Sequence, residues 1–401
     1  MFLIIIKNTR FFYDGQALRE NVDVLIDEED RTTLGTDKSD VVIDGSGKIL
    51  MPALFNAHTH LPMIIMRGNH EDQYFHDWLA GVWRVEERLT PEIVYHASVV
   101  SIAENLRGGV TSAISMYFFY EETARAVEEF GLPYYIGPVF VDDHKMGDRV
   151  SSAERFFKKS WKHVIPTIFS HAPYTCSPET LETVAELKGK YDVPHQIHVS
   201  ETREEVVDIK RKYGLYPAEY VDKHVPLDEK TTLVHGGWLT KGELDLIARR
   251  GAALVHCPVS NAKLATHGFF PWREAKERGI RILLGTDSQV SNNTQDLFME
   301  MRMAALTAKD RYWDATVAPV SEVLSAARGP GWMLVDVSGL RFFPVTRRNV
   351  LANLVFNGHS DLVTHVILNG QLRYPFDGKI EKQIERSKEF LLNALTTLYP
   401  D

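Results

Sequence analysis

The pattern of apolar and polar positions changes twice along the chain. Up to residue 52 it consists of short apolar stretches: Leu3 to Phe12, Val22 to Ile26, and Val41 to Ile43 with Lys48 to Pro52. Glycine, aspartate and asparagine punctuate them, which predicts β-strands joined by tight turns. From residue 53, short apolar runs alternate with segments of helical period such as Pro91 to Arg107 and Glu122 to Phe130. Runs that are apolar throughout predict buried parallel strands. Their expected ends fall at His58/His60, Met116, near Asp142, His171, His198, His235, His256 and Asp287. Eight strand–helix units predict a (β/α)8 barrel. After residue 350 the strand pattern returns in Asn353 to Phe356 and Val363 to Leu372, with Asn369-Gly370 as a turn, and an amphipathic helix runs from Lys379 to Leu398. The expected fold is α/β: a distorted TIM barrel over 53–344 and a small β-sandwich built from 1–52 and 345–401, which includes the last helix.

With 401 residues, 44% hydrophobic and 25% charged, the composition is that of an ordinary folded chain. The net charge of −9 lacks the basic footprint of a nucleic-acid binder and leaves small-molecule clefts open. Cys176 and Cys257 have no paired spacing, so a reducing cytoplasm is the expected compartment. The apolar start ends at Lys7 and reads as a first strand. No apolar run reaches the roughly 20 residues of a membrane span, so no membrane partner is expected.

Catalytic groups of a (β/α)8 barrel sit at the C-terminal ends of its strands. Five of the eight expected ends carry histidine and one carries aspartate, which packing does not explain. In His58-Thr59-His60 the two imidazoles, two apart on a strand, point the same way. His198 supplies a third imidazole. Glu201 lies just past the strand end, where it reaches metal-bound water or, on a plainer reading, caps a surface helix. His235 alone would be a core histidine. Asp287 ends an apolar run and is costly to bury unless it is paired or ligates a metal. Nitrogen and oxygen ligands of this kind suit one divalent ion, zinc first, with iron or manganese as alternatives. Such an ion makes water acidic near neutral pH, and a glutamate shuttles the proton. The Pro-Cys-x-x-Cys of zinc deaminases and the second histidine of zinc proteases (Tyr74 stands there) are absent.

The chain resembles the mononuclear branch of the amidohydrolase superfamily, which includes chlorohydrolases and guanine deaminase. The nearest resemblance is to the methylthioadenosine/S-adenosylhomocysteine deaminases. It is carried by Leu61-Pro62-Met63, Met66-Arg67-Gly68, Trp78-Leu79, Glu86 to Thr90, Met116-Tyr117-Phe118, Ser260 to Leu264 and Ser291-Asn292-Asn293 before Glu300-Met301-Arg302. The resemblance implies His58, His60, His198 and Asp287 as metal ligands and Glu201 as proton shuttle, with His235 orienting the nucleophile. It further implies substrate contacts from Glu86 (to ribose), Arg149 (to a carboxylate tail), His171, Trp78 and Ser291. A homodimer is implied by analogy. His171 stands where the two-metal branch carries lysine, so a single ion is expected. Pro138 stands where relatives tend to carry a second arginine, Ser115 replaces an aspartate, and the Val335 to Val350 segment departs from the pattern.

The expected activity is hydrolytic deamination of an adenine nucleoside: 5′-methylthioadenosine, adenosine or S-adenosylhomocysteine. The alternatives are deamination or dechlorination of another N-heterocycle (guanine, an oxidised purine, a pterin, a triazine) and a non-catalytic binding protein on the same barrel. Glu86 separates the first alternative, since a base without ribose gives that carboxylate nothing to bind. Bound metal separates the second.

Overall fold

The computed structural model describes residues 2–35, 39–142, 146–266 and 268–399, without the side chains of 146 and 147. β1 (Ile4–Tyr13) pairs antiparallel with β2 (Leu18–Ile26), which carries the short edge strand β3 (Thr32–Leu34), and parallel with β4 (Val41–Asp44). β5 (Lys48–Thr59) serves two structures at once. Its first residues pair with β1, at Phe11–Ile49 and Phe12–Leu50. Its later residues are the first barrel strand and pair parallel with β6 (Val110–Ser115), with an irregularity between Asn56 and Thr59.

The barrel continues through β7 (Tyr135–Ile136), β8 (Val139–Phe140), β9 (Ile165–Pro166), β10 (Ile168–Ser170), β11 (His195–Val199), β12 (Thr231–His235), β13 (Ala253–His256) and β14 (Ile282–Leu284). β7 and β8 are two pieces of the third barrel position, and β9 and β10 are two pieces of the fourth. The breaks have local causes. Pro138 has no N–H to give a ladder. Gly137 lies so close to the next strand that a Cβ there would sit 1.8 Å from the Thr167 carbonyl oxygen. β7 therefore stays with β6 and β9, while β8 joins β10 to β14 in a second parallel sheet. The two sheets meet at the seam between β5 and β14. Asp287 N donates to His58 O at 3.0 Å, and a Cβ on Gly285 would lie 2.8 Å from His58 N. Only glycine permits that approach.

The return from the barrel differs from expectation. Asn353 to Phe356 is not a strand but part of the helix Val350–Asn357, whose buried Val350, Leu354 and Val355 share a helical face. The returning strand is β15 (Arg328–Asp336), which falls inside the expected barrel segment yet pairs antiparallel with β5 and with β16 (Val363–Leu368). β16 turns at Asn369-Gly370, both in the left-handed region that a tight hairpin requires, into β17 (Gln371–Tyr374). Strands from both chain ends thus share one sheet over a core that includes Ile4, Phe12, Ile26, Leu50, Trp332 and Ile367. The helix Gly378–Leu398 packs along the barrel helix Pro91–Arg107, where the Phe390 ring stacks on His96 at 4.2 Å. Among the described residues, no helix is long and apolar enough to cross a membrane.

Candidate metal centre

His58, His60, His198 and Asp287 converge at the barrel mouth. One ligand atom from each lies within 4.8 Å of the others. His58 Nε2 is 3.1 Å from His198 Nε2, and Asp287 Oδ1 is 3.3 Å from His58 Nε2 and 3.2 Å from His60 Nε2. The outer nitrogens are engaged: His60 Nδ1 donates to Met116 O at 2.5 Å, His198 Nδ1 to His171 O at 2.7 Å, and His58 Nδ1 meets Gln196 Oε1 at 2.8 Å. Carbonyl oxygens only accept, so the hydrogen of His60 and His198 belongs on Nδ1 and their Nε2 lone pairs face inward. The free oxygen of Asp287 faces the same point, while its Oδ2 accepts from Ser260 Oγ at 2.6 Å and Ser291 Oγ at 2.9 Å. Lone pairs turned towards one another at such distances repel unless a cation lies between them. The donor set of three nitrogens and one oxygen fits a divalent metal.

Electrostatics agree. Burial pushes His58 down to about 4 and His198 well below its ordinary value, which leaves both neutral and ready to ligate. Burial pushes Asp287 up, but His58 and His60 outweigh it and hold the carboxyl well below its usual range. His60 is raised despite burial, because Asp287 draws a proton to it.

The flanking groups follow from the turns after the strands. Ser200, His235 and Asp287 have φ of 53°, 73° and 59°, left-handed values that cost energy in residues other than glycine and re-aim the chain at each strand end. Glu205 accepts from Ser200 N at 2.8 Å and Glu201 N at 3.0 Å, and Thr202 caps the following helix through Glu205 N. Thr202 is therefore the cap, and Glu201 is turned inward and buried. Its Oε2 lies 3.7 Å from His235 Nε2. Burial, and then Asp287, push the Glu201 carboxyl up to about 8, with His60 opposing. His235 Nδ1 meets Asn261 Oδ1 at 2.9 Å, and its ring stacks on His198 at 5.3 Å.

The remaining expected contacts divide. The His171 ring stands 5.2 Å from that of His198, with Nδ1 on Thr175 Oγ1 at 2.8 Å. Glu86 ends the helix Phe75–Glu86, and burial raises its carboxyl against the pull of Tyr117 and His60. The Tyr117 hydroxyl beside it is buried without a well-formed hydrogen bond. Arg149 Nη1 donates to Val141 O at 2.7 Å, at the mouth end of the third barrel position. Two residues are placed differently from expectation. Trp78 packs among Met63, Met66, Val82 and Val85, so its indole supports the wall rather than lining an open cleft. Ser291 is fully buried, and its hydroxyl is committed to Asp287 and Ser288, which makes it a holder of the carboxylate. His256 lies outside the cluster, stacked on Phe270 at 4.1 Å. Gln196 and Glu205 went unnoticed in the sequence. Both had a signal: Gln196 shares the strand face of His198, two residues on, and Thr202-x-x-Glu205 has capping-box spacing.

A parallel barrel whose mouth gathers three imidazoles and an aspartate is the architecture of a metal-dependent hydrolase. The chain matches the Amidohydrolase family over residues 49–327 and belongs to that family. It is 37% identical over 335 residues to the 5-methylthioadenosine/S-adenosylhomocysteine deaminase of Pyrococcus furiosus, covering 81% of this chain and 80% of the relative. It is 34% identical over 397 residues to the 5'-deoxyadenosine deaminase of Methanosphaera stadtmanae, covering 92% of each. Among solved structures, a zinc-bound adenosine deaminase from Xanthomonas campestris superposes with a TM-score of 0.88 at 27% identity, covering 97% of this chain and 98% of that one.

Proposed function

We propose that this chain hydrolytically deaminates an adenine nucleoside at the His58–His60–His198–Asp287 centre, with zinc as the ion. The observation that carries the reading is the buried Glu201 carboxyl, 3.7 Å from His235 beside that cluster, with Glu86 half-buried in the adjoining wall. Relatives named for deamination of methylthioadenosine, S-adenosylhomocysteine and 5'-deoxyadenosine support it.

The bound ion supplies the Lewis acidity that makes water a nucleophile near neutral pH. The chain's own groups then do the rest. Glu201, whose ionised form a neighbouring cation favours, takes a proton from the attacking water and delivers it to the ring nitrogen next to the amine-bearing carbon. His235, kept neutral by burial and with Nδ1–H on Asn261, presents an Nε2 lone pair that accepts a hydrogen from the nucleophile. The carbon–nitrogen bond breaks as the amine takes the second proton, so adenine and water become hypoxanthine and ammonia. Glu86 accepts the ribose hydroxyls, and Arg149 and His171 face the rest of the ligand. With Pro138 standing where relatives tend to carry a second arginine, nucleosides with uncharged 5′ groups are favoured over those with an amino-acid tail. Cys176 and Cys257, both buried free thiols, fit a reducing cytoplasm.

The ultraviolet change from adenine to hypoxanthine tests the activity directly on 5'-methylthioadenosine, 5'-deoxyadenosine, adenosine and S-adenosylhomocysteine. Fully metallated protein that leaves all four unchanged would refute the substrate class.

A further inference from the structure

We propose that Gln196 is a positioning residue that sets the metal-binding tautomer of His58, transmitting to it a constraint that originates in the Ala57 carbonyl. This rests on the metal reading of the His58–His60–His198–Asp287 cluster and adds a separate element to it.

The three histidines are not held alike. His60 and His198 give Nδ1–H to main-chain carbonyls, which cannot donate, so their tautomers follow from the backbone. His58 instead faces a side-chain amide, whose two ends have opposite character. An amide turned with its NH2 towards His58 would place the imidazole hydrogen on Nε2, aimed at His198 and Asp287, and would remove the ligand lone pair. Ala57 O decides the matter. It lies 2.9 Å from Gln196 Nε2 and can only accept, so the amide nitrogen must sit there. The second N–H goes to Thr232 Oγ1 at 2.9 Å. The amide oxygen is left for His58 Nδ1 at 2.8 Å, and His58 Nε2 is left bare, 3.1 Å from His198 Nε2.

Gln196 and His58 are buried to within 1% of full enclosure, so no open water stands in for the missing partner. The geometry comes from the fold. Gln196 precedes His198 by two on β11 and shares its face, Thr232 is its register partner on β12, and β5 brings Ala57 and His58 to it across the barrel interior.

The test uses the full-length chain, stripped of metal, in zinc competition against a chelating indicator, with melting temperatures recorded alongside. Gln196→Met removes the acceptor at similar volume and is expected to weaken zinc binding by ~10–100-fold. Gln196→Glu is expected to keep native affinity or better. As a carboxylate it accepts from Nδ1–H, and as a carboxylic acid it also donates to Ala57 O, so both forms preserve the tautomer. Thr232→Val leaves Ala57 O in place and is expected to change zinc binding by less than ~2-fold. Opposite behaviour of the Met and Glu variants, at similar losses of melting temperature, is the signature that a packing role would not produce.

Native affinity in Gln196→Met, or equal losses in both variants, would overturn the proposal while leaving the metal centre intact. Native protein that binds no zinc would take down the metal reading and this inference together. If Gln196→Met does not fold, nitrogen-15 spectra of the metal-free native protein decide. A bare Nε2 on His58 supports the relay, and an Nε2–H overturns it.

Discussion

Two regions of the barrel mouth, the ligand cluster and the wall around Glu86, are built on different terms. At the ends of β5 and β11 and just after β14, each proposed ligand has its outer atom tied down: Met116 O, His171 O and Gln196 for the histidines, Ser260 and Ser291 for Asp287. Around the proposed substrate contacts, by contrast, the third and fourth barrel positions are broken into short pieces, and the Tyr117 hydroxyl is buried without a well-formed hydrogen bond beside Glu86. Ligands must be held to fractions of an ångström, because metal affinity depends on tautomer and aim. A wall that selects among nucleosides needs groups left for the substrate to satisfy. The contrast teaches that the proposed ligands and the proposed substrate contacts are held in different ways within one mouth.

This contrast can be broken at several points. The largest effect is expected from removing the ion: chelation, or His198→Ala, should abolish turnover, with zinc restoring only the chelated native protein. Elemental analysis with the ultraviolet assay checks it. Next, Glu201→Gln should keep its metal and lose ~10²–10⁴-fold in kcat; near-native turnover would remove Glu201 from proton transfer.

On the wall, Glu86→Gln should raise KM for ribosides by ~10–100-fold, as expected for losing hydrogen bonds to a charged group, and leave any slow turnover of free adenine unchanged. Ser291→Ala sharpens the comparison, because the expected contact and the observed one differ in sign. If Ser291 holds Asp287, zinc affinity should fall by ~10-fold with KM little changed. A selective rise in KM for long-tailed nucleosides would return it to the substrate side.

The smallest effect is a stability slope. Burial pushes Glu201, Glu205 and Glu300 up to about 8 in the folded chain, far above their unfolded values. The folded state therefore keeps protons that the unfolded chain releases first, and stability is present at low pH and lost as pH rises. Below about pH 6.5 the buried histidines, His58 and His171 pushed down to about 4 among them, act with the opposite sign, so the melting temperature of metal-free protein should fall only from about pH 7 to about pH 9, and Glu201→Gln should flatten part of that fall. A slope of opposite sign would show that these carboxyls are ionised in place.

Much of this was legible in one dimension because it depends on local period and residue type. Short all-apolar runs specify buried parallel strands, and packing does not account for so many histidines and an aspartate at their ends, although one of them, His256, stacks on Phe270. That is why His58, His60, His198 and Asp287 could be singled out across a span that folding closes to within 4.8 Å. What escaped depends on partners remote in sequence. Val350–Asn357 carries enough apolar residues for either a strand or a helix, and only the face available for burial decides. Ser291 and Trp78 have side chains suited to touching a ligand, but their neighbours claimed the Ser291 hydroxyl for Asp287 and the indole for the packed wall. Gln196 is an ordinary strand residue until Ala57 O fixes which end of its amide faces His58. Residue type and spacing set which groups can do chemistry; tertiary contacts set which atoms remain free to do it, because most buried donors and acceptors are claimed by a neighbour.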